Sequence, residues 1–256
     1  MPYATNPSDG VRIHYTVEGE SGPVLVMQYG FMGYIGVWNE AGYVAALSPD
    51  VRLVLFDPRG MEGSDRPHDP DAYTTARMAT DVLALLDAVG AETGHFLGYS
   101  RGGRVGYELA LRPGERIRSV MIASMHPYRR DPAEFDEQIA MFEMGWERSI
   151  PLDEARHGPL DPRVRELFLR NDSLALAASC IATQRDAGFD DLLDAIVTPT
   201  LIYAGDKDEK FHDQARAAAD AMPGGTFVSL PELDHDATFW RSDLSVPLIR
   251  AAVLTG

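Results

Sequence analysis

Short apolar runs, each about as long as one β-strand, recur along the chain with helix-like stretches between them, and this alternation limits the possible folds more than any other feature. Residues 51–56 (VRLVLF), 95–99 (HFLGY), 119–123 (SVMIA), 200–204 (TLIYA) and 227–230 (FVSL) are largely apolar on both faces of an extended chain, the pattern of strands buried inside a parallel sheet. Helical patterns separate most of them. Over residues 75–90, Met78, Val82, Leu85, Leu86 and Val89 share one helical face, Thr74 or Thr75 can cap the start, and Gly90 can end it. Parallel strands are usually joined by helices, so the pattern predicts an α/β fold. Its central sheet should be mostly parallel with helices on both faces, and a ligand should bind at the strands' C-terminal ends.

Two further segments shape this picture. Residues 11–18 alternate, with Val11, Ile13, Tyr15 and Val17 on one face, and Val24–Gln28 follows the turn-forming residues 19–23 (GESGP), so these two early strands are expected to pair with each other. From 126 to 196 the alternation stops, and helices are predicted over residues 132–148, Pro162–Arg170 and 173–187. That stretch is expected to be a small helical cap inserted into a single domain spanning 1–256. Phe135, Ile139, Phe142 and Trp146 give its first helix an apolar face. Most of that face should pack on the body, with Phe142 and Trp146 as candidates to line a substrate pocket alongside Met32, Tyr99 and Met125.

Gly98-Tyr99-Ser100-Arg101-Gly102-Gly103 is a GxSxG directly after a strand pattern and directly before a helix-like run. A serine in so tight a turn projects its hydroxyl from the sheet edge, and the glycines remove side chains that would collide there. Gly106 would let the following helix approach the sheet closely. On these residues the chain resembles the α/β-hydrolase superfamily, from about Val11 to the C-terminal helix.

A serine hydroxyl is a weak nucleophile at neutral pH and needs a base, and that base needs a carboxylate to fix its tautomer. The resemblance implies the chain order serine, acid, histidine. Of the later histidines, His157 falls in the cap and His212 at a helix start, whereas His235 follows the last strand after a short loop. Asp208, in Gly205-Asp206-Lys207-Asp208, stands where the family places its acid, and Asp206 is read as a solvated loop residue. The amides of Phe31, in Gln28-Tyr29-Gly30-Phe31, and of Arg101 are the expected oxyanion donors. Members of this superfamily commonly carry His-Gly where this chain has Tyr29-Gly30. The Arg101 side chain is expected to face solvent, the other reading being a positive group at the substrate mouth. Asp57-Pro58-Arg59-Gly60 reads as a structural turn tying neighbouring loops.

The implied activity is hydrolysis of a carboxylic ester or lactone of a hydrophobic small molecule. A serine triad equally serves C–C bond hydrolases, thioesterases and hydroxynitrile lyases, and a non-catalytic small-molecule receptor could retain the same pocket. Dehalogenases and epoxide hydrolases of this fold are expected to carry aspartate at the elbow, which disfavours both. With no GxGxxG after the first strand and no GxxxxGK[ST], no cofactor is expected, and no histidine pair at ligand spacing implies a metal. A net charge of -16 without a basic cluster argues against nucleic acid and anionic membranes. No apolar run reaches the ~18 residues of a spanning helix. The single cysteine, Cys180, and a start unlike a signal peptide suit the cytoplasm.

Overall fold

In the computed structural model, which describes residues 2–112 and 116–254, eight strands form one sheet in the order β1-β2-β4-β3-β5-β6-β7-β8. They are β1 (Tyr3–Thr5), β2 (Arg12–Glu18), β3 (Val24–Gln28), β4 (Arg52–Phe56), β5 (Gly94–Tyr99), β6 (Ile117–Ala123), β7 (Thr200–Gly205) and β8 (Gly225–Leu230). β3 through β8 run parallel to one another, while β2 joins β4 antiparallel and β1 joins β2 antiparallel at the edge. Of the 1–256 span, residues 1, 113–115, 255 and 256 lie outside the described ones.

The expected pairing of the two early strands does not form. β4 lies between them, with Val17 opposite Val54 on one side and Val26 opposite Val54 on the other. The reason is burial. β4 is apolar on both faces and its Leu53, Val54 and Leu55 are fully buried, so it takes an interior place, whereas half-polar β2 tolerates a position near the edge. Two strand spacings are only about 10 Å, well within reach of the five residues 19–23. β1, too short to show a pattern of its own, was not expected from the sequence.

Helices cover both faces. α1 (Gly36–Glu40), α2 (Tyr43–Leu47), α3 (Thr75–Ala88) and α4 (Arg101–Ala110) precede β7, along with α5 (Asp136–Glu143), α6 (Trp146–His157), α7 (Pro162–Arg170) and α8 (Ser173–Arg185); α9 (His212–Ala221), α10 (His235–Trp240) and α11 (Ser242–Leu254) follow it. Val26, Phe96 and Val120 pack against Val82 and Leu85 of α3, Val105 of α4 and Ala215 of α9. Their sequence neighbours Leu25, Leu97 and Met121 pack on the opposite face with Trp38, Val44 and Ile249. The two-residue period of the strands thus feeds two separate layers. Thr74 caps α3, its hydroxyl accepting from the Arg77 amide.

Between β6 and β7 the described residues form helices and 3₁₀ turns only. The single helix expected over 132–148 is broken: a 3₁₀ turn (Pro132–Phe135) leads into α5, and Gly145, at φ 76°, starts α6 in a new direction. Glycine takes that conformation without penalty, so the chain turns where helical periodicity alone would carry it on. α8 stops at Arg185 rather than 187, because Asp186 turns extended and pairs with Arg104 at 3.0 Å.

Candidate active site

After β3 the chain moves outward to β4 and then crosses back to β5 on the other side of β3. That reversal opens a crevice at the C-terminal ends of β3 and β5, where open α/β sheets bind ligands. Tyr29-Gly30-Phe31 leaves β3 at this crevice and Ser100 leaves β5.

Ser100 sits between β5 and α4 with φ 52° and ψ -120°, the conformation of the first central residue in a type II′ turn, ordinarily glycine's place. Its amide donates to the Ala123 carbonyl at 2.8 Å, and its carbonyl accepts from the Gly103 amide at 2.8 Å. Side chains are excluded on either side: a Cβ on Gly98 would lie 2.2 Å from the Gly102 carbonyl oxygen, and one on Gly102 would lie 2.5 Å from that of Gln28. A Cβ on Gly106 would stand 2.9 Å from Ile122, so α4 rests directly on the sheet.

His235, the first residue of α10, brings Nε2 to 3.0 Å from Ser100 Oγ and Nδ1 to 2.9 Å from Asp208 Oδ2. An ionised carboxylate can only accept, so Nδ1 carries the proton and Nε2 is left to accept from the hydroxyl. The Asp208 side chain is 2% exposed and that of His235 31%, so the acid is sealed in while the imidazole meets the crevice. Phe211 and Tyr99 flank the ring at 5.0 and 5.4 Å between centroids, and the Tyr99 hydroxyl donates to the His235 carbonyl at 2.8 Å. Asp206 is exposed and accepts from the Glu232 amide at 2.7 Å, tying two loops away from the imidazole.

Gly30 passes so close to the serine that an added Cβ would be 3.0 Å from Ser100 Cβ, so the segment leading to Phe31 lies against the serine. Arg101 is the first residue of α4, where the amide lacks a partner within the helix. Tyr29 takes up an aromatic cluster with Tyr99, Trp38 and Phe239, and its ring fills the space a Cβ on Gly33 would need. The Tyr29–Phe31 loop is therefore held by aromatic packing. Asp57 accepts from the Ile35 and Gly63 amides and pairs with His14 at 2.6 Å, the tie between loops expected of that turn.

A cavity of about 850 Å³ opens on Ser100 and His235. Of the five expected pocket residues, Met125 lines it. The others do not: Tyr99 lies behind the imidazole, Met32 and Phe142 are buried in a satellite cluster, and Trp146 stacks on Phe168 at 5.0 Å with its indole N–H donating to the Asn171 carbonyl. Phe142 packs in that cluster with Leu176 and Ala177 of α8, while its neighbour Met141 on α5 lines the cavity. Its apolar wall comes instead from Phe31, Phe135, Met141 and Phe211. Arg101 is also corrected: its side chain lines the cavity and donates to the Ser179 carbonyl at 2.5 Å, since α8 roofs the position that would otherwise face solvent. Arg104, Arg130, Glu134 and Lys210, all lining the cavity, escape sequence reasoning because charges scattered on loops and helical patterns read as solvated.

Residues 23–160 match the family model described as alpha/beta hydrolase fold. A putative 2-succinyl-6-hydroxy-2,4-cyclohexadiene-1-carboxylate synthase of Bacillus subtilis is 27% identical, with 89% of each chain covered. A fluoroacetate dehalogenase of a Burkholderia species is 31% identical over 51% of this chain and 43% of its own. Among solved structures, the enol-lactonase of Burkholderia xenovorans superposes with a TM-score of 0.84 at 26% identity, covering all of both chains. Among the described residues no helix is long and apolar enough to cross a membrane. Sheet order, elbow and family model agree, and the chain belongs to the α/β-hydrolase fold family of hydrolases.

Proposed function

We propose that this chain is a serine hydrolase cleaving a carboxylic ester or lactone of a largely hydrophobic small molecule through an acyl-enzyme at Ser100. The observation that carries the reading is the continuous hydrogen-bond chain from Ser100 Oγ through His235 to Asp208, at 3.0 and 2.9 Å. Ser100 attacks the carbonyl while His235 Nε2 takes its proton, and buried Asp208 stabilises the imidazolium. The Phe31 and Arg101 amides receive the oxyanion. Collapse expels the alcohol, protonated by His235, and water activated by the same imidazole releases the acid. Residues 126–196 act as a cap whose helices form the outer cavity wall and select the substrate. A single buried thiol, Cys180, suits a cytoplasmic enzyme.

Relatives include a dehalogenase, but serine rather than aspartate occupies the elbow here, which favours acyl transfer. The test is labelling with a fluorophosphonate probe and turnover of a p-nitrophenyl ester. Ser100→Ala should abolish both, and His235→Ala should lower turnover at least ~10³-fold. Undiminished turnover by purified Ser100→Ala excludes the nucleophile, and absence of labelling in the wild type favours a binding protein. A panel of esters, lactones and thioesters then separates the chemistries that a serine triad can perform.

A further inference from the structure

We propose that the molecule attacked at Ser100 carries a carboxylate, and that the Arg101 guanidinium holds it beside the reacting carbonyl. The proposal rests on the reading of Ser100 as nucleophile and narrows its substrate to an anionic ester or lactone with an apolar body.

The argument starts from how this chain treats its other enclosed arginines. Arg59 is fully buried with Asp81 at 2.6 Å and Asp9 at 2.7 Å. Among the arginines lining the cavity, Arg104 pairs with Asp186 at 3.0 Å and Arg130 with Glu134 at 2.7 Å, while Arg156 stands exposed at the rim. Arg101 is half-buried inside the cavity, and among the described residues no carboxylate lies within 4.0 Å of it. It has the Ser179 carbonyl, the face of Phe31 at 5.3 Å and the Cys180 thiol, whose pKa burial pushes up so that it stays uncharged. Asp186, a carboxylate whose charge acts on it, is already engaged by Arg104. Burial pulls the Arg101 pKa below its ordinary value, which records poor hydration of the cation rather than its loss.

An enclosed guanidinium without an anion is costly, and a charged group so perturbed inside a cavity marks a candidate ligand site. The surrounding wall points the same way. Glu134 bridges Arg130 and Lys210 at 2.7 and 2.6 Å, so two cations share one carboxylate, whose pKa they hold down at about 2. Arg101, Arg104, Arg130, Arg156 and Lys210 line the cavity against Glu134, Glu137 and Asp153, so in a chain of net charge -16 the cations outnumber the carboxylates here and would draw a small anion inward. Arg101 directly follows the nucleophile, so its fork serves a carboxylate only a few bonds from the scissile carbonyl.

The test compares 4-nitrophenyl hemiglutarate with its methyl ester, in which the distal carboxylate is capped by a methyl group and uncharged. Wild type should prefer the acid by about 10- to 100-fold in kcat/KM, the effect of one charge-assisted contact. Arg101→Gln should collapse that ratio through KM of the acid, and Arg101→Lys should restore part of it. Equal or better use of the methyl ester by the wild type, or an unchanged ratio in Arg101→Gln, overturns the proposal. Glutarate should also protect wild-type Ser100 from the fluorophosphonate and bind Ser100→Ala by calorimetry, more weakly as salt is raised. If Ser100 takes no label at all, the hydrolase reading fails separately, and glutarate binding still decides the carboxylate site: saturable binding upholds it, and none overturns it.

Discussion

Replacing Ser100 by glycine should leave a more stable protein than replacing it by alanine, although both variants lose the hydroxyl. At φ 52° and ψ -120°, any side chain at position 100 sits in backbone space that suits only glycine. Such strain is worth roughly 1–3 kcal/mol, about 2 at its middle. Glycine gives back about 0.7 kcal/mol through the freedom it regains in the unfolded chain. The half-buried Cβ forfeits a further ~0.4 kcal/mol of contact. About 1 kcal/mol should remain in favour of glycine, or about 3 °C in Tm for a domain of this size. Differential scanning calorimetry of the two purified variants, with fluorophosphonate labelling confirming that both are inert, measures it directly. Alanine melting at or above the temperature of glycine would refute the claim that the elbow stores strain.

Other expectations follow from the surrounding packing. Gly98→Ala sets a methyl 2.2 Å from the Gly102 carbonyl oxygen, so β5 and α4 must part; urea unfolding should show a loss of about 1–3 kcal/mol, accompanied by loss of Ser100 labelling. Asp81→Ala leaves the buried Arg59 fork without its two-pronged partner at 2.6 and 2.8 Å and should cost about 3–5 kcal/mol in the same assay. His126 is 4% exposed, and burial lowers its pKa from 6.5 to about 4. The unfolded chain therefore binds the extra proton first, and stability present above pH 6.5 is lost as pH falls toward 4, with about 2 kcal/mol gone by pH 5. Urea midpoints at pH 7 and pH 5 should diverge in the wild type and converge in His126→Gln.

Much of the fold was legible because its signals are local. Runs such as 51–56 and 119–123 carry the burial of a parallel strand in their own composition, and the spacing of Met78, Val82 and Leu85 carries that of a covering helix. Ser100, Asp208 and His235 stand out for a related reason: each follows a strand pattern, and strand ends converge on one rim. The structure puts the three within hydrogen-bonding distance.

What the sequence left open concerns which distant segments meet. Nothing in residues 11–28 tells that β4, encoded some thirty residues later, will lie between β2 and β3; competition among strands for the buried interior decides it. The break at Gly145 depends on one permissive residue, and the cavity is lined by Phe135, Met141 and Phe211 rather than by Phe142 and Trp146. Whether Arg101 points to solvent or into the cavity depends on α8, 72 residues downstream at its first residue, closing over it. Local pattern determined the layers and the reactive chain ends, since strand and helix propensities act within a few residues. Only the folded packing decided strand order, cavity wall and the environment of each charge, because those energies belong to contacts between segments that the sequence keeps apart.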